Sequence, residues 1–238
     1  MAHIKKTQMP KSWPVPRKGK GKRFVAVPSH ATSKGISLLF LLRDVLKIAK
    51  TRKEARYMTF NEMVKVNNKM RKDENFPVQV FDTINLSPSA SNRHDPTGPD
   101  YSADPEKVMI NYRLEIVNKK FNLVEISAKD AETKIVKIAG KKILGKDKIQ
   151  MNLDDGQNII TKEKFSVGDS IVLNTKDDKI VKVLPLKEGA KIEVILGKHA
   201  GEKGELVGFE ELVRGRTYKI KLGDKTVSLP YKTILVIA

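Results

Sequence analysis

The side chains able to do catalytic or metal chemistry are few and scattered. His3, His30, His94 and His199 make up the whole histidine complement, and none has a second histidine or a carboxylate at the short spacings that hold zinc. The chain has no cysteine, which removes thiolate metal sites, iron–sulfur clusters, disulfides and a nucleophilic thiol, and fits a reducing interior. Two acidic pairs, Asp154-Asp155 and Asp177-Asp178, have the types needed for acid and base work. Both fall where the pattern predicts hairpin turns, and Asp is favoured there for bonding its own backbone. Gly19-Lys20-Gly21-Lys22 lacks the GxxxxGK(S/T) spacing of a phosphate loop. These residues predict no catalytic site, no metal, no cofactor and no small-molecule substrate.

The abundant chemistry is cationic. Lys and Arg number 46 against 28 Asp and Glu, a formal charge of +18. Residues 1–57 hold 15 basic and 2 acidic side chains, whereas residues 58–238 hold 31 and 26. So lopsided a distribution points to a polyanionic partner met mainly by the N-terminal quarter. No acidic residue precedes Asp44, and Lys5, Lys6, Lys11, Arg17, Lys18, Lys20, Lys22 and Arg23 alternate with Pro10, Pro14, Pro16, Gly19 and Gly21. Such a stretch buries too little apolar surface to offset its ordering entropy, so residues 1–35 are expected to be an extended tail, disordered until phosphates neutralise it. Trp13, the single tryptophan, lies inside it, placed to stack on a base or wedge between helices.

Elements must position these charges. From Ile36 the pattern turns helical: Leu38, Leu39, Leu41, Leu42, Val45, Leu46 and Ile48 share a face, with Arg43, Asp44 and Lys47 opposite and Phe40 on the polar side. Thr51-Arg52-Lys53-Glu54 reads as a capping box that starts a second helix at Arg52. On that helix Arg52, Lys53 and Arg56 lie in one outward arc, while Ala55 and Met58 point elsewhere. Residues 64–66 predict a strand, Asn67-Asn68 a tight turn that tolerates φ > 0, and Lys69 to Lys72 a basic return. Pro77 to Phe81 and Ile84 supply further extended pieces, and residues 87–105, rich in Ser, Pro, Asp and Asn, read as a linker and domain boundary.

Beyond the linker, residues 112–116 and 123–126 alternate as strands, and Ser127 is expected to start a short helix with Ala128, Ala131, Ile135 and Ile138 on one side. Asp155-Gly156 and Lys176-Asp177-Asp178 mark hairpin turns. The last fifty residues read as short strands at 192–196, 204–209, 218–222, 226–229 and 233–237, broken by glycines, a pattern that suggests a small barrel. The apolar run 38–42 falls far short of the ~20 residues that span a bilayer, and no apolar stretch follows the basic N-terminus as in a secretory signal. A cytoplasmic protein without membrane contact is the expectation.

The residues LRDVLKIAKTRKEAR and MVKVNNKMRKDENFPVQVFDTINL, within 38–86, resemble the alpha-L RNA-binding module of bacterial small-subunit ribosomal protein four, some pseudouridine synthases and tyrosyl-tRNA synthetases. The resemblance implies RNA contacts at Lys50, Arg52, Lys53 and Arg56, then at Lys69, Arg71 and Lys72; Asn68 stands where that family usually has Gly. KEGAKIEVILGKHAGEKGELVGF, residues 187–209, looks like a KOW motif, with Gly197, Gly201 and Gly204 letting the loop pass close to its own strands and to RNA. Lys198, His199 and Lys203 are the contacts it implies.

In order, the basic tail with PKSW, the alpha-L segment, a β region with FSVGDSIVL and the KOW segment resemble the archaeal and eukaryotic ribosomal small-subunit protein four of the e-type family. The chain's end soon after the KOW segment is the more archaeal pattern. The implied fold is α+β and multidomain: a tail at 1–35, an alpha-L module at 36–86, a linker at 87–106, a central β domain at 107–186 and an SH3-like barrel at 187–238. The implied role is a structural constituent that binds small-subunit rRNA among neighbouring ribosomal proteins in the cytoplasm. Two other classes share parts of this pattern. A pseudouridine synthase would need a catalytic domain with a nucleophilic Asp, and the middle region is too small and offers none. A KOW-containing transcription elongation factor is disfavoured by the alpha-L segment and the Lys-rich tail.

Overall fold

The computed structural model describes residues 3–19, 23–87, 110–145, 148–212 and 215–237. Lys20, Lys22, His94 and the linker from residue 88 to 106 lie outside the described residues. The chain is mostly β and divides into two units, Met1–Ile116 with Lys120–Glu132, and Thr133–Ala238 with Val117–Lys119.

Unit 1 contains β1 (His3–Lys5), β2 (Phe24–Ala26), β3 (Gly35–Ser37), α1 (Leu38–Phe40) continued by a π-turn (Leu41–Val45), α2 (Arg52–Phe60), β4 (Val64–Val66), β5 (Lys69–Met70), β6 (Pro77–Gln79), β7 (Thr83–Leu86), β8 (Ile110–Val117) and β9 (Lys120–Ile126). Its main sheet runs β5-β4-β7-β8-β9, with β1–β2 and β3–β6 as separate pairs. The boundary expected at 87–106 is therefore not one: β8 pairs antiparallel with β7, Leu86 opposite Ile110. Buried Asn85 and Asn111 fix that register, the Asn85 Nδ2 donating to Asn111 Oδ1 at 2.7 Å. The division falls after Glu132 instead. Leu38, Leu42, Ala55, Val64, Ile84 and Leu114 form the interior of unit 1, each fully buried. Burial of such side chains stabilises by about 1.5–3 kcal/mol each for the larger ones.

The structure departs from three local expectations. The helix from Ile36 ends early: Leu46 N–H donates to Leu41 O at 2.9 Å, an i to i+5 bond, and Lys47 turns the chain at φ +57. The wider turn and the reversal at Lys47 take Ile48 off the apolar face, where it is 47% exposed, whereas Phe40, which precedes the turn, is buried beneath the tail. The described residues of the tail pack within this unit. Met9 and Trp13 are buried, Trp13 Nε1 donates to Gly35 O at 3.2 Å, and Phe121 N–H donates to Ser12 O at 2.7 Å. Trp13 also covers Phe40, with ring centroids 6.2 Å apart. Two large apolar side chains spread among prolines have no period, yet they anchor the segment. The helix expected from Ser127 is only a 3-10 turn at Asp130–Glu132, capped by the Ser127 hydroxyl. The β-branched Thr133, Ile135, Val136 and Ile138 that follow favour extended backbone.

Unit 2 carries two five-stranded sheets. In the first, β10 (Thr133–Ile143), β11 (Ile149–Leu153), β12 (Asn158–Thr161), β13 (Ser170–Asn174) and β14 (Ile180–Leu184) run β12-β11-β10-β13-β14 around Ile138, Met151, Phe165 and Ile171. In the second, β15 (Lys191–Val194), β16 (Lys203–Leu212), β17 (Gly215–Leu222), β18 (Lys225–Pro230) and β19 (Ile234–Val236) run β18-β17-β16-β15-β19 around Ile192, Val194, Ile220 and Ile234. Among the described residues β18 and β19 end the hydrogen-bonded order, which makes a half-barrel sheet. β19 is three residues long and pairs with β15, and Pro230 at the end of β18 has no N–H to offer. The two sheets are tied by buried Lys137, whose ammonium donates to Tyr231 O and Ile234 O, and by Ser170 Oγ, which accepts from Val236 N–H at 3.1 Å.

Candidate nucleic-acid interface

The cations of α2 owe their placement to its first turn. Thr51 is extended and its hydroxyl accepts from Glu54 N–H at 3.2 Å, while Glu54 Oε2 accepts from Lys50 N–H at 2.6 Å. This is the capping box the sequence spells, reaching back one residue further than the usual form. The Lys50 N–H, then the Thr51 hydroxyl and the nearby Lys50 charge, hold the Glu54 carboxyl below its ordinary value of 4.5, against a smaller opposing effect of burial. Arg52 and Lys53 sit at the positive end of the helix dipole, where a cation is unfavourable by about 0.3–1 kcal/mol. A helix optimised only for stability would carry acids there.

The three cations expected to face outward together do not share one role. Arg52 Nε donates to Glu74 Oε1 at 2.6 Å and its Nη2 pairs with the same oxygen; the Glu74 side chain is only 8% exposed. Arg52 therefore braces α2 against the return segment after β5. Lys53 and Arg56 are exposed, Arg56 lying over the Phe60 ring at 5.3 Å. Tyr57 and Phe60 are more than half exposed on the same helix. The spacing Lys53, Arg56, Tyr57, Phe60 is i, i+3, i+4, i+7, one face of a helix, and that spacing was the legible signal for two aromatic residues absent from the expected contacts.

The β4–β5 hairpin turns on Asn67 and Asn68, at φ +51 and +62. Asn67 is more than a turn former: its Nδ2 donates to Asp82 Oδ1 at 2.9 Å and its Oδ1 accepts from Thr83 N–H at 2.9 Å, which locks the turn to β7. Of the cations on the return, Lys72 is exposed, Lys69 is half-buried, and Arg71 lies over the Phe76 ring at 4.4 Å with its Nε buried. The Arg52–Glu74 pair brings this return beside the start of α2.

In the tail, Lys5, Lys11, Arg17, Lys18 and Arg23 are exposed and Lys6 is half-buried; Arg17 donates to Met9 O. Trp13 does not stand open to RNA as expected. Its ring is fully buried and its N–H is used by Gly35, so it offers no face to a base. In unit 2 the turn after β15 carries exposed Lys198; His199 Nδ1 lies 2.9 Å from Glu202 Oε2, and Lys203 Nζ lies 3.9 Å from buried Glu193. Gly201 in this turn has φ +87, and a Cβ on Gly204 would lie 2.2 Å from Lys221 O. Close approach of β16 to β17 requires the missing side chain there. The acid pairs are turn residues: Asp155 accepts from Lys134 Nζ and from Gln157 N–H, and Asp177 lies 3.6 Å from Lys179.

The described residues thus form small sheet-rich units that carry exposed cations beside exposed rings on α2. Residues 111–180 match the family described as Ribosomal family S4e. The small ribosomal subunit protein eS4 of Pyrobaculum aerophilum is 34% identical over 213 residues, 87% of this chain and 82% of that protein. The eS4 of Caldivirga maquilingensis is 30% identical over 99% of this chain and 95% of its own length. The crystal structure of the 30S ribosomal protein S4e from Thermoplasma acidophilum superposes with a TM-score of 0.67 at 22% identity, covering 86% of this chain and 95% of that one. The chain belongs to ribosomal family S4e, a family of structural ribosomal proteins and not of enzymes.

Proposed function

We propose that this chain is a structural constituent of the small ribosomal subunit that holds rRNA, in the cytoplasm, among neighbouring ribosomal proteins. The observation that carries the reading is the α2 face, where Lys53 and Arg56 stand exposed beside Tyr57 and Phe60. Cations there neutralise phosphates and open rings stack on unpaired bases. Phosphate at this end of α2 would also relieve the unfavourable meeting of Arg52 and Lys53 with the helix dipole. The hairpin turning on Asn67-Asn68 extends the same surface through Lys69 and Lys72, in the manner of an alpha-L module. The turn of Gly197 to Gly204, with Lys198 exposed, serves as a separate KOW-like contact. The relatives' name, small ribosomal subunit protein eS4, supports the same assignment.

Because the contacts are mainly cation to phosphate, each neutralised phosphate adds about 0.9 to the slope of log affinity against log salt. A filter-binding titration with small-subunit rRNA fragments from low to physiological salt is expected to show a steep slope. Affinity that barely changes over that range would refute the reading.

A further inference from the structure

A cavity of about 300 Å³ opens between the tail and the π-turn of unit 1, and none of the surfaces described above uses it. Pro14, Pro16 and the Phe24 ring supply apolar walls, and Lys6, Arg43 and the Asp44 carboxylate, which is paired with Arg43, line the same space. Its size is at the small end of small-molecule sites, about 300–1,000 Å³, enough for one base with its sugar and too small for a helix. Phe24 is 47% exposed, with His3 edge-on at 5.0 Å and the Arg23 guanidinium 5.8 Å from the ring centre. An open ring set among cations suits a stacked base followed by its phosphate. Arg43 is held in place by Asp44, whose Oδ2 accepts from Nε at 3.0 Å and Nη2 at 2.6 Å. Two of the five guanidinium N–H bonds are thereby used, and the others can meet a phosphate. The π-turn that brings Arg43 there is a distortion often kept at functional sites.

We infer that this cavity takes a single unpaired RNA nucleotide, its base against Phe24 and the prolines and its phosphate between Lys6 and Arg43. The inference rests on the rRNA-binding reading and adds a second, base-stacking site to it. The docked tail builds the wall, which gives Trp13 a role: by anchoring residues 9–16, it sets the cavity that it does not itself line.

The test uses the full chain and two RNA hairpins of identical stem, one fully paired and one with a single bulged 2-aminopurine. Wild type is expected to bind the bulged stem about ten-fold tighter, within the range base stacking supplies, and to change the 2-aminopurine emission. Phe24→Ala, at an exposed position, should bring the two stems to within two-fold while keeping the melting temperature, and Phe24→Trp should retain the preference. Equal affinity of wild type for both stems, or a preference undiminished in Phe24→Ala, overturns the cavity proposal while salt-dependent binding of the paired stem leaves the rRNA reading standing. Failure of wild type to bind either stem overturns both.

Discussion

Replacing Arg52 by Ala separates bracing from binding on α2. Glu74 is buried and accepts from Arg52 through Oε1, and its Oε2 has no partner of its own. Truncating Arg52 leaves a buried carboxylate without its cation, a loss of about 1–3 kcal/mol for an unmatched buried group. The Arg52 side chain is 59% exposed, and solvent screening places the effect in the lower part of that range, about 1–2 kcal/mol. Urea unfolding followed through Trp13, which reports unit 1, is the assay. Arg52→Ala should lose that amount, and Arg52→Ala with Glu74→Gln should recover most of it, the coupling being read from the double-mutant cycle. Lys53→Ala with Arg56→Ala should unfold within about 0.5 kcal/mol of wild type, since Ala is a strong helix former. The same pair should reduce the salt slope of rRNA binding by about two. An Arg52→Ala variant as stable as wild type, or a Lys53/Arg56 variant that binds unchanged, would refute the division of roles.

Trp13 should emit as a buried indole and resist iodide quenching in the free protein; ready quenching by iodide would show that the ring is open after all. Trp13→Ala should lose about 3–5 kcal/mol in unit 1 and expose residues 3–19 to protease. Gly201→Val, at φ +87, is expected to lower the melting transition of unit 2 through about 1–3 kcal/mol of backbone strain, and Gly204→Ala should be worse because the new methyl meets Lys221 O. The depressed Glu54 carboxyl stabilises the charged, folded form, so its contribution is present above its ordinary value of 4.5 and is lost as pH falls through the lower folded value. The stability difference between wild type and Glu54→Gln should therefore shrink on acidification below pH 4.5; a difference independent of pH would refute the capping role.

Short-range signals were legible where a residue type allows few conformations. Thr51 through Glu54 spelled the cap, Asn67-Asn68 the left-handed turn and Asp155-Gly156 the β11–β12 hairpin, and each is a local hydrogen-bonding preference that tertiary packing leaves intact. Long-range pairings were not legible. The ladder of β7 on β8 closes across residues 88–109, and no local signal records it. Trp13 looked like an RNA contact because its neighbours are basic, but its partners, Gly35 and Phe40, are more than twenty positions away. Arg52 likewise differs from Lys53 only through Glu74, far along the chain, and an arc drawn on a helical wheel cannot show that.

The proposed role makes the chain a stoichiometric, RNA-bound part of the small ribosomal subunit. Sedimentation of an extract containing a tagged full-length copy, with the tag quantified against small-subunit rRNA across the gradient, tests it most directly. One copy per small subunit, retained at physiological salt, is expected. Co-sedimentation at only a small fraction of that ratio, or co-purification with RNA polymerase in place of the subunit, would contradict it.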